Sequence, residues 1–335
     1  MLKEELLSIK RLISLGVVIF VGGMFMSGDA DLGPLNPLKK FLQSMKGSQS
    51  ATSVARPLPL PTRTNEAIRV ASFNIQVFGE QKLSDPLAVD VLVKVLRSFD
   101  VIAVQEIRSE RQDLLPRFVQ QLNANGAHYD YAIGPRLGRS VSKEQYAYIF
   151  DAASLEIDRQ SMYTVDDPDD LLHREPLVAG FRVRGLPSDQ AFTFTLIDVH
   201  TDPDEVEREL SVLDDVFREV RNDGRFEDDL IMLGDFNAAG THLGELGQLP
   251  YLTRAIVGTP TNTRGTKQYD NLLFDSRATT EFTGKSGVVD LIREFNLSEA
   301  DALRVSDHLP VWAEFSLREG GDPGRIATRP ATPAR

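Results

Sequence analysis

Cysteine is absent from the 335-residue chain. That excludes a disulfide framework, a thiolate-held zinc or iron–sulfur centre and thiol catalysis. Basic charge is also short: 37 Lys and Arg stand against 49 Asp and Glu, a formal net charge of −12. Proteins that coat polyanions advertise a basic surface, so the balance excludes a general polyanion binder. Histidine is scarce, with five in all, and there is no internal repeat. A run long enough to span a bilayer is missing from the N-terminal apolar segment too. As a helix, Leu12–Met26 (LISLGVVIFVGGMFM) covers only ~22 Å of a ~30 Å hydrocarbon core. What remains is ordinary: 41% hydrophobic and 26% charged residues, enough for one large domain or two small ones.

Charge divides the chain into zones. Residues 1–65 carry eight Lys/Arg and four Asp/Glu, and residues 319–335 carry three Arg and two acids, which leaves −17 for 66–318. Lys10 and Arg11 precede the Leu12–Met26 run, and Gly28-Asp29-Ala30 follows it. Residues 1–30 are therefore expected to be a signal peptide or a membrane anchor, with a buried core helix as the alternative. Residues 31–65 are rich in Pro, Ser and Lys and read as a linker. Residues 319–335 hold too few apolar side chains to fold and read as a disordered tail.

Within 66–318 short apolar runs recur at Arg69–Phe73, Val101–Val104, Tyr129–Ile133, Tyr146–Phe150, Val178–Val183, Phe192–Val199, Leu230–Leu233, Leu272–Phe274 and Val311–Phe315. Bounded by Gly, Asp or Pro, they read as buried strands. Ser84-Asp85-Pro86 is a helix start ahead of LAVDVLVKVLRSF. Val206, Leu210, Leu213, Phe217 and Val220 recur on one helical face over 204–220. Strands outnumber helices without βαβ alternation, so a single domain built as a two-sheet sandwich with outer helices is expected.

Polar residues interrupt these strands at their ends: Asn74, Glu106, His200, Asp235, Asn237, Asp270, Asp307 and His308. Taken singly, each reads as a turn or surface residue. Together they form a chemical inventory. Glu106, Asp307 and Asp235 are hard oxygen donors suited to Mg²⁺ or Mn²⁺. Asn74 and Asn237 can hold a metal or a phosphoryl oxygen, and two histidines have acids at hand to orient them. That inventory fits metal-assisted attack of water on a phosphate ester.

The segments ASFNIQVFG (71–79), VIAVQEIR (101–108), KEQYAYIF (143–150), HREP (173–176), LIDVHTDP (196–203), IMLGDFNA (231–238), YDNLLF (269–274) and SDHLPV (306–311) resemble the endonuclease/exonuclease/phosphatase superfamily. KEQY and REP are closest to its deoxyribonuclease I-like branch. The resemblance covers about 68–316. It implies an α/β fold, a four-layered α/β/β/α sandwich of two central, mostly antiparallel sheets flanked by helices. By that resemblance Asn74 and Glu106 fall where the family binds its divalent metal, with Asp307 contributing. Asp235 and Asn237 fall where the attacking water and scissile phosphate are oriented. Glu144 would pair with His200 and Asp270 with His308, as two acid–base dyads. Arg108 and Arg174 match positions that contact substrate phosphates, with a local ion pair, such as Arg174 with Glu175, as the alternative. The chain departs from the family at Ser142, where nucleases carry Tyr, at Asn271, often Arg, and in lacking the animal enzymes' disulfide.

The resemblance implies a Mg²⁺-dependent phosphodiester hydrolase (Mn²⁺ or Ca²⁺ as alternatives), a deoxyribonuclease I-like endonuclease with DNA as substrate. It is expected to be a monomer without a protein partner. It would be exported, either membrane-anchored through its N-terminal segment or secreted or periplasmic. A phospholipid or sugar-phosphate phosphoesterase on the same fold stays open, as does a non-catalytic binding module. No aromatic cluster marks a lipid-facing loop, and no member of the acid–histidine set is missing.

Overall fold

The computed structural model describes Leu60, Pro61, Arg63 and residues 66–139 and 143–321. The expected signal or anchor segment, most of the linker, Ser142 and residues 322–335 lie outside the described residues. Among the described residues no helix is long and apolar enough to cross a membrane. Two expected boundaries carry contacts. Arg63 pairs with Asp100 and Asp151 at 2.5 and 2.6 Å, and Glu319 accepts from Thr193 N at 3.1 Å.

Among the described residues, twelve strands form two six-stranded sheets. The first contains β1 (Ala67–Phe78), β2 (Val101–Ile107), β3 (Tyr129–Ile133), β4 (Gln145–Asp151), β11 (Phe282–Val288) and β12 (Val311–Ser316), in the order β11-β12-β1-β2-β4-β3. The second contains β5 (Leu155–Thr164), β6 (Leu177–Val183), β7 (Thr193–His200), β8 (Leu230–Asp235), β9 (Leu252–Arg254) and β10 (Asp270–Asp275), in the order β5-β6-β7-β8-β10-β9. Each sheet has one parallel neighbour pair, β1 with β2 and β7 with β8, and is otherwise antiparallel. The helices are α1 (Glu80–Leu83), α2 (Pro86–Leu96), α3 (Leu114–Leu122), α4 (Val206–Leu210), α5 (Leu213–Arg221), α6 (Leu291–Glu294) and α7 (Glu299–Val305).

Strand alternation shows how the layers stack. Phe194, Leu196, Ile231, Leu233, Leu272 and Phe274 share a core with the first sheet and with α2, α3 and α7. Their strand neighbours Ile197, Val199, Leu230, Met232 and Leu273 pack instead against Leu210, Leu213, Val216, Phe217 and Val220 of α4 and α5. The order is helices, sheet, sheet, helices, the expected four-layered sandwich. An aromatic row holds the sheets together. Phe181 touches Tyr148, Phe150 and Phe194 at ring centroids of 5.5, 5.8 and 5.5 Å, and Phe192 and Phe274 meet Phe315 at 5.9 and 5.6 Å.

Local chemistry explains the elements. Asp85 caps α2 by accepting from Leu87 N and Ala88 N, with Pro86 inside the first turn. The helix read over 204–220 is broken into α4 and α5. Ser211 Oγ turns back to Arg208 O at 2.7 Å and ends the first piece, while Leu210, Leu213, Phe217 and Val220 keep their common buried face. Strands β5, β9 and β11 carry no apolar run and were not foreseen; each is a sheet edge.

Gly234 occupies φ +145°, and a Cβ there would lie 1.9 Å from Val199 O. The glycine of GDFN is thus the point where β7 and β8 approach too closely for any side chain. We expect Gly234→Ala to cost at least about 3 kcal/mol, measured by chemical denaturation of the full chain; a loss below about 1 kcal/mol would refute this account.

Candidate active site

Three site residues form one rung of the second sheet. His200 at the end of β7 is in register with Asp235 at the end of β8, and Asp235 with Asp270 at the start of β10. Residues opposed in a ladder share a face. His200, Asp235 and Asp270 stand four, two and two residues from Leu196, Leu233 and Leu272, an even spacing that turns them toward the other sheet. From that sheet come Asn74 on β1, Glu106 on β2, Glu144 just before β4, and Asp307 and His308 just before β12. Eight of the nine expected catalytic or metal positions thus meet at one edge of the sandwich, and the ninth, Asn237, follows Asp235 by two residues.

The two imidazoles are arranged alike. His200 Nδ1 lies 2.6 Å from Glu144 Oε1, and His308 Nδ1 lies 2.9 Å from Asp270 Oδ2. Their Nε2 atoms both turn to a single oxygen, Asp235 Oδ2, at 3.6 and 3.4 Å. Asp235 Oδ1 accepts from Asn237 N at 2.9 Å. Thr261 Oγ1 donates to Asp270 at 2.6 Å and Tyr146 Oη accepts from His200 N at 2.9 Å, so the rings are positioned from behind.

Electrostatics follow the geometry. Burial alone would lower both histidines, but the carboxylates outweigh it. Glu144 raises His200, and Asp270 with Asp235 holds His308 well above its ordinary value. Burial likewise favours the neutral acids, yet His308 and His200 hold Asp235 below its ordinary value, and His200, Arg174 and Arg108 do the same for Glu144.

Glu106 reaches the cluster through an irregular backbone. Ser72 and Gln105 hydrogen-bond on the inner face at 3.1 Å, so regular alternation would turn Glu106 outward. Glu106 instead has φ +63°, and the β1–β2 register slips beyond it. The bulge returns its side chain inward, where Oε1 accepts from Asn74 Nδ2 at 3.2 Å and Oε2 from Val77 N at 2.9 Å. Asn74 Nδ2 also donates to Asp235 Oδ2 at 3.1 Å, which leaves Asn74 Oδ1 buried without a partner. Asp307 Oδ1 is buried and unpartnered too. Two orphaned oxygens beside a carboxylate suit a hard divalent cation. Asp235, Asp270 and His308 also bring ligand atoms within 4.8 Å of one another. A cation among those three would have to displace the His308–Asp270 hydrogen bond, so the Asn74 side fits better.

Arg108 bridges Glu106 at 3.0 Å and Glu144 at 3.6 Å and is partly exposed. Arg174 is buried and lies 3.4 Å from Glu144, with Nε donating to His200 O at 3.0 Å and Nη2 unpartnered. Its ion pair is thus with Glu144. Asn237 Nδ2 donates to Thr201 O at 2.8 Å, and its backbone sits at φ +48°. Asn271 is buried and clamps both the N–H and the carbonyl of Ile256, at 3.0 and 2.9 Å. Lys82 escaped the sequence reading. It donates to Val305 O at 2.6 Å, and burial brings it down to about 8 although Asp307 and Glu106 pull the other way. Ser306 was missed as well: its Oγ donates to Asn74 O at 2.7 Å and accepts from His308 N at 3.0 Å, tying β1 to the His308 loop. Lys82 stood in no pattern that marked it, whereas Ser306 opens the SDHLPV segment beside the acid and histidine that drew attention.

Comparison with known proteins agrees with this arrangement. The profile of the Endonuclease/Exonuclease/phosphatase family matches residues 71–308. Deoxyribonuclease gamma of Rattus norvegicus is 31% identical over 269 residues, covering 75% of this chain and 85% of that protein. Deoxyribonuclease-1-like 1 of Bos taurus is 34% identical over 281 residues, covering 78% and 86%. Among solved structures, the human Nocturnin catalytic domain with bound sulfate superposes at TM-score 0.51 and 17% identity, over 78% of this chain and 99% of that one. Truncated Caenorhabditis elegans TDP2 gives 0.51 and 14%, over 75% and 97%. These two likenesses concern the fold.

The raised histidines can be tested directly. Because the folded state holds their protons more tightly, their contribution to stability is complete below about pH 6.5 and is lost as pH rises through the folded values. Glu144→Gln removes the group that raises His200, so histidine NMR should show His200 titrating at lower pH while His308 stays high. An unmoved His200 resonance would contradict the pairing.

Proposed function

This chain belongs to the Endonuclease/Exonuclease/phosphatase family, and from that premise we propose that it is a divalent-cation-dependent endonuclease that cuts DNA. It is an enzyme that hydrolyses phosphodiester bonds. One observation carries the reading: two imidazoles, each backed by its own carboxylate, face one oxygen of Asp235 from either side. In-line displacement at phosphorus needs a base on the entering side and an acid on the leaving side. The pair supplies both.

In this reading one dyad takes the proton of the attacking water and the other gives a proton to the departing 3′-oxygen. Asp235 and Asn237 orient the water and the scissile phosphate. Arg174 and Arg108 offer guanidinium N–H groups to its oxygens. Asn74, Glu106 and Asp307 would hold the cation, Mg²⁺ by their all-oxygen chemistry. When bound, it supplies positive charge against the charge that develops on the phosphoryl oxygens. DNA as substrate rests on the names of the relatives, deoxyribonucleases at 31–34% identity. A groove that includes Arg108 is lined by Lys82, Arg108, Arg111 and Arg304 but also by Glu80, Asp85 and Glu110, with Arg304 paired to Asp85 at 2.8 Å, so it offers phosphates only a small excess of cationic groups. With few such contacts, binding should be weak and salt-dependent. Export or anchoring through residues 1–30 belongs to the same proposal.

The test is nicking of supercoiled plasmid by the full chain. We expect activity with Mg²⁺, none with EDTA, and a loss of at least about a thousandfold in His308→Ala and in Asp235→Ala, with thermal unfolding retained. Near-normal nicking by either variant would overturn the mechanism. Sphingomyelin or inositol phosphate cleaved in preference to plasmid would overturn the substrate.

A further inference from the structure

A second group of acids lies at the far end of β8 from Asp235. Asp229 immediately precedes β8, Glu227 stands two residues earlier, Glu281 immediately precedes β11, and Glu319 follows β12. At ~3.3 Å per residue the six residues of β8 put about 20 Å between Asp229 and Asp235. Ligand oxygens of Asp229, Glu281 and Glu319 lie within 4.8 Å of one another, as do those of Glu227, Asp228 and Asp229. The acids come from both sheets.

Their hydrogen bonds leave a common remainder. Glu227 Oε1 accepts from Asp229 N at 2.8 Å, Glu281 Oε1 from Gly320 N, and Glu319 Oε2 from Thr193 N at 3.1 Å. The opposite oxygens Glu227 Oε2 and Glu281 Oε2, with Asp229 Oδ1, are buried and have no partner. Those three residues are only 5%, 4% and 1% exposed, respectively. The charges acting most strongly on Glu227 and Asp229 are other carboxylates, not lysines or arginines. Burial, reinforced by these neighbours, pushes Glu227 up to about 7 and Asp229 to about 10. Buried carboxylates are ordinarily paired or bound to metal. Thr193 and Thr279 hydrogen-bond to Glu227 and Asp229, respectively, but no base is among the charges that act on them.

We propose that Glu227, Asp229, Glu281 and Glu319 form a calcium site separate from the catalytic edge. The donors are all carboxylate oxygens from three chain segments, with no nitrogen or sulfur, which excludes zinc and copper chemistry. Calcium accepts many oxygens in irregular geometry, whereas magnesium keeps its waters and seeks an octahedron, so a buried all-carboxylate group favours calcium. The ion would join the start of β8 in one sheet to β11 and β12 in the other. It would act there as a cross-sheet clip in a chain that has no cysteine to make one.

Calcium chloride is titrated by calorimetry into the full chain carrying Glu106→Gln, which silences the other expected cation position, with and without Asp229→Asn plus Glu281→Gln. We expect one calcium per chain in the first protein and at least tenfold weaker binding in the second. At calcium a hundredfold above Kd the unfolding midpoint should rise by about 5 °C in the first only. In EDTA the neutralised variant, freed of crowded acids, should be at least as stable as its parent, an ordering that reverses in calcium. No calcium uptake by the parent, or equal affinity in both, overturns the site. A larger rise with magnesium than with calcium overturns the choice of ion. Should the double variant fail to fold, Glu319→Gln at the half-buried rim replaces it, and unchanged affinity there has the same force.

Discussion

The direction of two strand pairs governs this molecule. A parallel neighbour requires a crossover, and the chain makes one in each sheet: from β1 to β2 through α1 and α2, and from β7 to β8 through α4 and α5. The crossovers supply the outer helical layers, and they also place the carboxyl ends of four strands on one edge. Asn74, Glu106, His200 and Asp235 sit there as a result. The remaining pairings are antiparallel, so β4, β10 and β12 begin where those strands finish. Glu144, Asp270 and His308 are thereby delivered to the same place. The converging side chains owe their meeting to topology; the bulge at Glu106 and the missing Cβ of Gly234 adjust it by a few ångströms.

An excess of acid recurs at both ends of the sandwich and is handled differently at each. At the catalytic edge Glu144, Asp235, Asp270 and Glu106 are met by two imidazoles, Arg108 and Arg174. The negative charge of residues 66–318 is therefore partly turned inward and offset. At the other end Glu227, Asp229 and Glu281 are buried together and met by threonine hydroxyls and backbone N–H groups, and the charges acting on Glu227 and Asp229 are other carboxylates. A formal charge of −12 describes neither end well. It counts charges without saying which of them face solvent.

Central strands were legible because they are buried on both faces and read as apolar runs; Phe192–Val199 and Val311–Phe315 lie within a residue of the observed bounds. The strands that escaped, β5, β9 and β11, are edges that tolerate polar residues and glycine, as in LEIDRQSMYT and FTGKSGV. The site was legible because acids, amides and histidines interrupt apolar runs, a contrast visible in one dimension. Lys82 and Thr261 gave no such contrast, and Ser306 was overshadowed by Asp307 and His308 beside it. Lys82 and Ser306 act through hydrogen bonds to Val305 and Asn74, far away in sequence, and Glu106's positive φ has no counterpart in composition. The helix over 204–220 was read as continuous because its apolar spacing survives the break at Ser211, which only backbone geometry reveals.

The pairing of β1 with β12, which sets Ala67 opposite Ser316, has a consequence in time. The strand that brings in His308 leaves the ribosome well after β1, the strand on which it docks. Contacts so distant in sequence close late and slowly. A chain interrupted anywhere before β12 lacks one imidazole and the partner that completes the edge of β1. Assembly of the acid–histidine cluster thus waits until β12 has been made, and a growing chain that has not reached it carries the cluster incomplete.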